Sequence, residues 1–144
     1  MIAIGCDHGG YELKLEVIKY LEKNGLEYKD FGCNGESVDY PIYARKVGQA
    51  ILDGECERGI LICGTGIGMS ICANKFKGIR AACCGDHFSA EFTRKHNDSN
   101  VLCMGARTIG AGVALQLADI FLSTEFEGGR HQKRVDMITA FEEN

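Results

Sequence analysis

The chain has 144 residues, of which 45% are hydrophobic and 25% charged, and these values predict one soluble globular domain over residues 1–144. A net charge of −4 without a basic stripe argues against nucleic acid as the main partner. No apolar stretch reaches membrane-spanning length and no basic region precedes an apolar one at the N-terminus, so we expect no membrane segment, no signal peptide and a cytoplasmic location.

Short apolar runs alternate with segments of helical periodicity along the whole chain. The predicted strands are 2–6, 26–31, 59–63, 79–84 and 100–104. The predicted helices are 11–23, 42–53, 67–76, 87–96, 110–122 and 131–142. The first helix is amphipathic with Lys14 on its polar side, Gly25 follows it as a C-terminal cap, and Pro41 precedes the second helix. This alternation predicts a doubly wound α/β fold with about five parallel strands.

The chain contains eight cysteines, which is many for this length, and no two of them are spaced C-x-x-C. Most of them, including Cys72 and Cys83, lie among apolar residues, where a free cysteine behaves as a small hydrophobic side chain. We therefore expect free thiols in a reducing compartment, and neither a disulfide framework nor a zinc site.

Residues 60–70 (ILICGTGIGMS) are the most informative stretch. They predict a strand, a turn with glycine at every second position, and the N-terminus of a helix. Such a turn lets backbone N–H groups converge on an anion, and a thiol at its rim gains thiolate character. The stretch matches neither the phosphate-binding loop of nucleotide hydrolases nor the dinucleotide-binding fingerprint. It predicts an anion cradle beside a proton-transferring thiol, Cys63, or else a tight connection that needs glycine only for its geometry.

In a parallel sheet, ligands bind at the carboxyl ends of the strands, so residues that directly follow a strand are site candidates. They are Asp7 and His8 after the first predicted strand, Cys63 and Thr65 after the third, Asp86 and His87 after the fourth, and Arg107 after the fifth. Asp7 and His8 form either an acid–base pair or a helix cap. For Asp86 and His87 a helix cap is the favoured interpretation.

Two helix ends carry further candidates. His96, at the end of the fourth helix, either caps that helix or moves protons near neutral pH. Arg130 and Arg134 are four residues apart and therefore share a face of the last helix. Because cations near a helix N-terminus oppose the helix dipole, either a bound phosphate or a solvated basic face explains their position.

Together these segments resemble the family of type B ribose-5-phosphate isomerase, which includes galactose-6-phosphate and allose-6-phosphate isomerases. The motifs that carry the resemblance are residues 5–10 (GCDHGG), 39–41 (DYP), 63–70 (CGTGIGMS), 96–97 (HN), 105–107 (GAR), and Arg130-His131 with Arg134. The resemblance covers essentially the whole chain. It implies a Rossmann-like three-layer α/β/α sandwich with a five-stranded parallel sheet. It also implies an aldose–ketose isomerase that uses no metal and no cofactor.

The resemblance further implies a homodimer, in some cases paired into a tetramer, with the active site between subunits and the C-terminal helix 130–142 reaching the partner. It implies that Cys63 is the base that moves a proton between C1 and C2, assisted by Thr65, and that Asp7 and His96 open the sugar ring. The remaining implied contacts are His8, Arg107, Arg130 and Arg134 for the phosphate, the backbone of Gly64, Gly66, Ile67 and Gly68 for the enediolate, and Asn97 and Tyr43 for the sugar hydroxyls.

Several functions remain open at this point. A five-carbon sugar phosphate is the expected substrate, and a six-carbon sugar phosphate is the alternative within the same reaction class. A phosphate-binding module without chemistry would not need a thiol beside Thr65. A thiol redox protein would be expected to carry a C-x-x-C pair, which the chain lacks.

Overall fold

A single parallel sheet forms the centre of the molecule in the computed structural model, which describes residues 1–143. Its strands are β1 (Ile2–Cys6), β2 (Tyr28–Asp30), β3 (Arg58–Cys63), β4 (Ala81–Cys83) and β5 (Val101–Gly105). They pair in the order β2-β1-β3-β5-β4, and every pairing is parallel. The predicted doubly wound α/β class and the five-stranded parallel sheet are therefore confirmed.

Helices cover both faces of the sheet and complete the predicted three layers. They are α1 (Tyr11–Lys23), α2 (Tyr40–Leu52), α3 (Ile67–Ala73), α4 (His87–Asn97), α5 (Ala111–Ser123) and α6 (Arg130–Ala140), with single 3-10 turns at His8–Gly10 and Phe141–Glu143. One buried cluster joins the sheet to α1, α4 and α5, and a second joins the opposite face to α2 and α3. Among the described residues, no helix combines the length and the apolarity that crossing a membrane requires.

The element boundaries differ from the predicted ones mainly at the edges of the sheet. The edge strands β2 and β4 are three residues each, shorter than the predicted 26–31 and 79–84. Helix α2 begins at Tyr40, so Pro41 lies in its first turn and not before it, where its missing N–H leaves no hydrogen bond unmade. Helix α3 ends at Ala73, and the side-chain amide of the next residue, Asn74, bonds both the N–H and the C=O of Ala81.

The predicted cap of α1 is confirmed. Gly25 adopts the left-handed conformation, with φ +67°, directly after the helix. Its N–H donates to the carbonyl of Glu22, and the N–H of Leu26 donates to the carbonyl of Leu21. These two bonds satisfy carbonyl groups that the end of a helix otherwise leaves without partners.

Lys14 corrects the prediction for the first helix, because it is fully buried and does not lie on a solvated face. Its Nζ donates to Asp30 Oδ1 at 2.8 Å, to Asp30 Oδ2 at 3.0 Å and to the carbonyl of Cys33 at 2.6 Å. A buried ammonium is tolerated only when it is paired and fully hydrogen-bonded in this way. The side chain thus ties α1 to the segment that follows β2, next to the sheet edge where β1 ends.

The cysteines behave largely as the apolar surroundings predict. All eight are free. Burial raises the pKa of the Cys6 thiol to about 12 and that of Cys84 to about 11, so both stay neutral at physiological pH. Cys83 corrects the expectation of burial, because it is exposed on the edge strand β4, and Cys72 is only half-buried.

Candidate active site

The turn after β3 brings a thiol and a hydroxyl onto the N–H groups of the same loop. Cys63 is the last residue of the strand and is only 6% exposed. Its Sγ accepts a hydrogen bond from the N–H of Gly66 at 3.1 Å, and Thr65 Oγ1 accepts one from the N–H of Ile67 at 3.2 Å. The side chains therefore occupy donors that an anionic ligand would otherwise use.

The glycines of this turn are required by close approaches as well as by conformation. Gly66 has φ +78°, and a Cβ built there would lie 2.8 Å from the carbonyl carbon of Met104 on β5. A Cβ at Gly68 would lie 2.7 Å from the ring of Tyr40 on α2. Geometry therefore requires these glycines, and the anion cradle stays a prediction that is compatible with it, because the same packing keeps the N–H groups in place.

The turn after β1 lies against the end of β3. Asp7 Oδ1 accepts a hydrogen bond from the N–H of Gly10 at 3.1 Å, so the helix-cap interpretation of Asp7 is confirmed for the 3-10 turn. A Cβ at Gly10 would overlap the carbonyl of Ile62. His8 Nδ1 accepts a hydrogen bond from the N–H of Val38 at 3.3 Å. That bond leaves Nε2 of His8 for a ligand.

Arg107 follows β5 and lies along both neighbouring turns. Its backbone N–H donates to the carbonyl of Gly64 at 3.0 Å. Its guanidinium also lies close to that turn, because a Cβ built at Gly64 would lie 3.5 Å from Nη1. A Cβ at Gly9 would lie 3.8 Å from Nη2. Within residues 1–143 the guanidinium has no carboxylate partner. It lines a cavity of about 550 Å³ together with His8, Glu12 and Glu16. The guanidinium and the imidazole are groups that bind anions, and the two carboxylates oppose an anion there.

A second group of predicted residues meets where α4 packs against α6. Here a cavity of about 500 Å³ is lined by His96, Asn97, Arg130, His131, Arg134, Val135 and Ile138. The rings of His96 and His131 are stacked, with centroids 4.0 Å apart and planes 12° apart. Burial, followed by the positive neighbours His96 and Arg130, lowers the pKa of His131. Arg130 and Arg134, which were predicted to share one face of the last helix, therefore both line this cavity.

The structure divides the predicted site residues between these two places. His8 and Arg107 line one cavity, whereas Arg130 and Arg134 line the other, so one chain does not gather all four predicted phosphate ligands. Tyr43 lies on α2, where a Cβ built at Gly32 would lie 2.8 Å from its ring, and burial raises the pKa of its phenol.

The favoured interpretation of Asp86 as a helix cap is confirmed. Its Oδ1 accepts a hydrogen bond from the N–H of Ser89 at 2.8 Å, and its Oδ2 accepts one from the Ser89 hydroxyl, also at 2.8 Å. These bonds to the charged form lower the pKa of the Asp86 carboxyl. His87 beside it is exposed, and its Nδ1 lies 4.0 Å from Glu91 Oε2.

Sequence reasoning missed Glu127, which lies beside the second cavity, and it gave His131 no role. Glu127 Oε1 lies 3.3 Å from His96 Nε2 and 3.6 Å from His131 Nε2. The spacing of four residues between Glu127 and His131 was a signal, but the intervening Gly128 and Gly129 hid it, because both have positive φ and no continuous helix joins the two side chains.

Comparisons with known proteins identify the family to which the chain is similar. Residues 2–138 match the family described as Ribose/Galactose Isomerase. The chain is 50% identical over 143 residues to ribose-5-phosphate isomerase B of Escherichia coli, covering 99% of this chain and 96% of that relative. It is 45% identical to the D-erythrulose-4-phosphate isomerase of Pectobacterium atrosepticum, with 98% and 94% covered.

The fold agrees equally well with a solved structure, the ribose-5-phosphate isomerase B of Clostridium thermocellum. That structure superposes with a TM-score of 0.97 at 52% identity, covering 99% of this chain and 97% of the other. The match to the family over nearly the whole chain excludes the alternatives of a non-catalytic binding module and a thiol redox protein. The chain therefore belongs to the ribose/galactose isomerase family and is an isomerase of the type B ribose-5-phosphate isomerase group.

Proposed function

We propose that this enzyme interconverts ribose 5-phosphate and ribulose 5-phosphate through an enediolate, with Cys63 as the base. The observation that carries the proposal is the position of the Cys63 Sγ, which is buried at the end of β3 and accepts the N–H of Gly66 at 3.1 Å. That N–H holds the sulfur at the rim of the turn. The thiolate form is the one that can remove a proton from carbon.

In this mechanism Cys63 takes the proton from C2 of the open-chain aldose and returns it to C1, while the proton of the O2 hydroxyl passes to O1. Negative charge develops on the two oxygens of the enediolate between these steps. We assign the stabilisation of that charge to the backbone N–H groups of Gly64, Gly66, Ile67 and Gly68, because a preorganised donor costs no rearrangement as the charge forms. Thr65 Oγ1 would release the N–H of Ile67 and turn to a substrate oxygen.

The proposed roles of the ring-opening and binding residues are those that the resemblance to the family implies. Asp7 and His96 would transfer the protons that open the furanose ring, and Asn97 and Tyr43 would contact hydroxyls. His8, Arg107, Arg130 and Arg134 would bind phosphate. Holding the phosphate away from the reacting carbons positions those carbons over the base.

A homodimer would bring the two groups of residues together. Within one chain the cavity of Arg130 and that of Arg107 are separate, which supports a site completed by residues of a second copy. The C-terminal segment exposes large apolar side chains, including Met137 at 57% and Phe141 at 71%. We propose that this segment packs on the partner and carries the two arginines of α6 to the partner's Cys63.

Incubation of the purified protein with ribose 5-phosphate in heavy water, without added metal, tests the reaction directly. We expect ribulose 5-phosphate with deuterium at C1 or C2, because the carbon-bound proton passes through a base that exchanges with solvent. Product without deuterium would argue for a hydride shift or a fully shielded proton. Absence of product would refute the proposed substrate.

The length of the substrate is tested in the same assay. One relative is named for a four-carbon sugar phosphate, and the family description includes galactose. Erythrulose 4-phosphate, allose 6-phosphate and galactose 6-phosphate therefore serve as competing substrates. We expect the highest kcat/KM for ribose 5-phosphate, and a higher value for a six-carbon substrate would favour the alternative.

Replacement of Arg130 or Arg134 by alanine should lower kcat/KM for ribose 5-phosphate by about 10- to 150-fold each. A charge-assisted hydrogen bond contributes about 1.5–3 kcal/mol, and each 1.4 kcal/mol is about tenfold. Activity on unphosphorylated ribose should hardly change. Lys133→Ala is the matched control, since it removes an exposed cation from the same helix. Equal losses on both substrates would mean that the arginines are structural.

A further inference from the structure

Three side chains at the end of the second cavity bring two imidazoles and one carboxylate together. The ligand atoms offered by His96, Glu127 and His131 all lie within 4.8 Å of one another. His131 is 8% exposed, and within residues 1–143 its only charged partner of opposite sign is the carboxylate of Glu127. The N–H of Glu127 donates to the carbonyl of Lys95 at 3.1 Å, which anchors the loop next to the end of α4.

Two of the three distances within this cluster match those around a first-row transition metal, while the third, between the two imidazole nitrogens, is bounded only by the 4.8 Å span of the cluster. Bonds of about 2.0–2.2 Å from such an ion to nitrogen and oxygen place neighbouring tetrahedral ligands about 3.3–3.6 Å apart. Glu127 Oε1 lies 3.3 Å from His96 Nε2 and 3.6 Å from His131 Nε2. Two histidines and one glutamate also form a set of three protein ligands that leaves a fourth position open, here toward the cavity.

Ligation would require one ring to turn. The planes of His96 and His131 are only 12° apart, so nitrogen atoms of the two rings direct their in-plane bonds along nearly parallel planes, which do not meet at one ion. The His131 side chain is 11% exposed and is held by its surroundings, whereas that of His96 is 35% exposed and lines the cavity. His96 is therefore the ring that would turn toward the ion.

The charges around the cluster restrict the kind of ligand. Arg130 and Arg134 line the same cavity and oppose any cation, and the carboxylate of Glu127 offsets part of that repulsion. Imidazole nitrogen binds zinc, nickel and cobalt well, while magnesium and calcium prefer oxygen ligands. Only an ion that gains strongly from two imidazoles is expected to bind here.

We propose that His96, Glu127 and His131 form a binding site for a divalent transition-metal ion of the zinc, nickel and cobalt class, and that the bound ion inhibits the enzyme. The inhibition rests on the proposed function, because it requires that His96 take part in ring opening. The ion would hold the imidazole nitrogen that proton transfer needs. Metal binding itself does not depend on that function.

The site is tested by anaerobic titration of the metal-free full-length protein with Co²⁺. Binding is measured by the visible absorption of the bound ion. We expect one ion per chain and no thiolate-to-cobalt charge-transfer band, because no cysteine belongs to the cluster. The rate of ribose 5-phosphate isomerisation should fall by half at the Co²⁺ concentration that gives half-maximal binding. Glu127→Gln and His131→Asn should each weaken binding by about 10- to 100-fold or more, since even outer partners of a metal site contribute that much.

Glu125→Gln is the matched control, because Glu125 lies in the same loop with a side chain 89% exposed and outside the cluster, and its binding should be unchanged. Co²⁺ binding that persists in Glu127→Gln, no binding, or a thiolate band that disappears in Cys63→Ala would each overturn the site. Binding at the cluster without inhibition would overturn the inhibitory role. A metal-free enzyme inactive on ribose 5-phosphate would refute the proposed function, while the titration would still decide the metal site.

Discussion

Cys63→Ala should lower the rate of isomerisation by about 10²–10⁴-fold, the usual loss when a positioned general base is removed. Binding of a sugar phosphate should stay within a few-fold of the unmodified enzyme. In the proposed mechanism the thiolate moves the proton, whereas the arginines and the N–H groups of the turn hold the ligand. The measurements are kcat with ribose 5-phosphate and the Kd of a non-reacting sugar phosphate.

The matched control for this variant is Cys72→Ala. Cys72 lies on α3, half-buried, and its thiol contacts the carbonyl of Pro41 at 3.8 Å, away from the turn. We expect its activity to remain near that of the unmodified enzyme. If Cys63→Ala instead retained nearly full activity, the base would have to be another group, and the exposed Cys83, whose Sγ lies 3.5 Å from the carbonyl of Thr65, would be the first to test.

His96→Asn should impair turnover of substrates that exist as furanose rings, while a substrate that cannot cyclise should be isomerised at nearly the normal rate. Only the open chain can react, and ring opening needs one proton removed from the anomeric hydroxyl and one delivered to the ring oxygen. An imidazole supplies such a transfer near neutral pH, which is worth about 10²–10⁴-fold. The ratio of kcat/KM for the two substrates is the measurement.

The structural role of His96 gives a different result and is measured separately. Its ring packs edge-on against Phe92, with centroids 5.0 Å apart, and stacks on His131. If packing were its only contribution, the variant would melt at a lower temperature and lose equal activity on both substrates. Phe92→Leu is the control, because it disturbs the same packing without removing an imidazole, and it should not change the substrate ratio.

The central strands could be predicted from the sequence almost residue by residue, and the edge strands could not. Strands β1, β3 and β5 are buried on both faces, so they read as continuous apolar runs next to glycine or polar residues. Strands β2 and β4 have one neighbour each and exposed side chains, and their length depends on pairing that a local pattern does not encode.

The candidate site was predictable wherever it follows a strand. Asp7, Cys63 and Arg107 could be placed at one edge because parallel strands end together. The burial of Lys14 and the approach of Glu127 to two histidines depend on contacts between elements distant in the chain. A local sequence pattern does not predict such contacts. The division of the arginines between two cavities could not be predicted for the same reason.

The strand order also has a consequence for the nascent chain. Cys63 ends β3, which pairs with β1 on one side and with β5 on the other, and β5 runs to Gly105. During synthesis the first of these partners is already present, but the second emerges only after a further stretch of chain. Non-local parallel pairing of this kind forms slowly. The thiol therefore spends an interval of translation open to oxidants and electrophiles, from which the finished sheet later shields it.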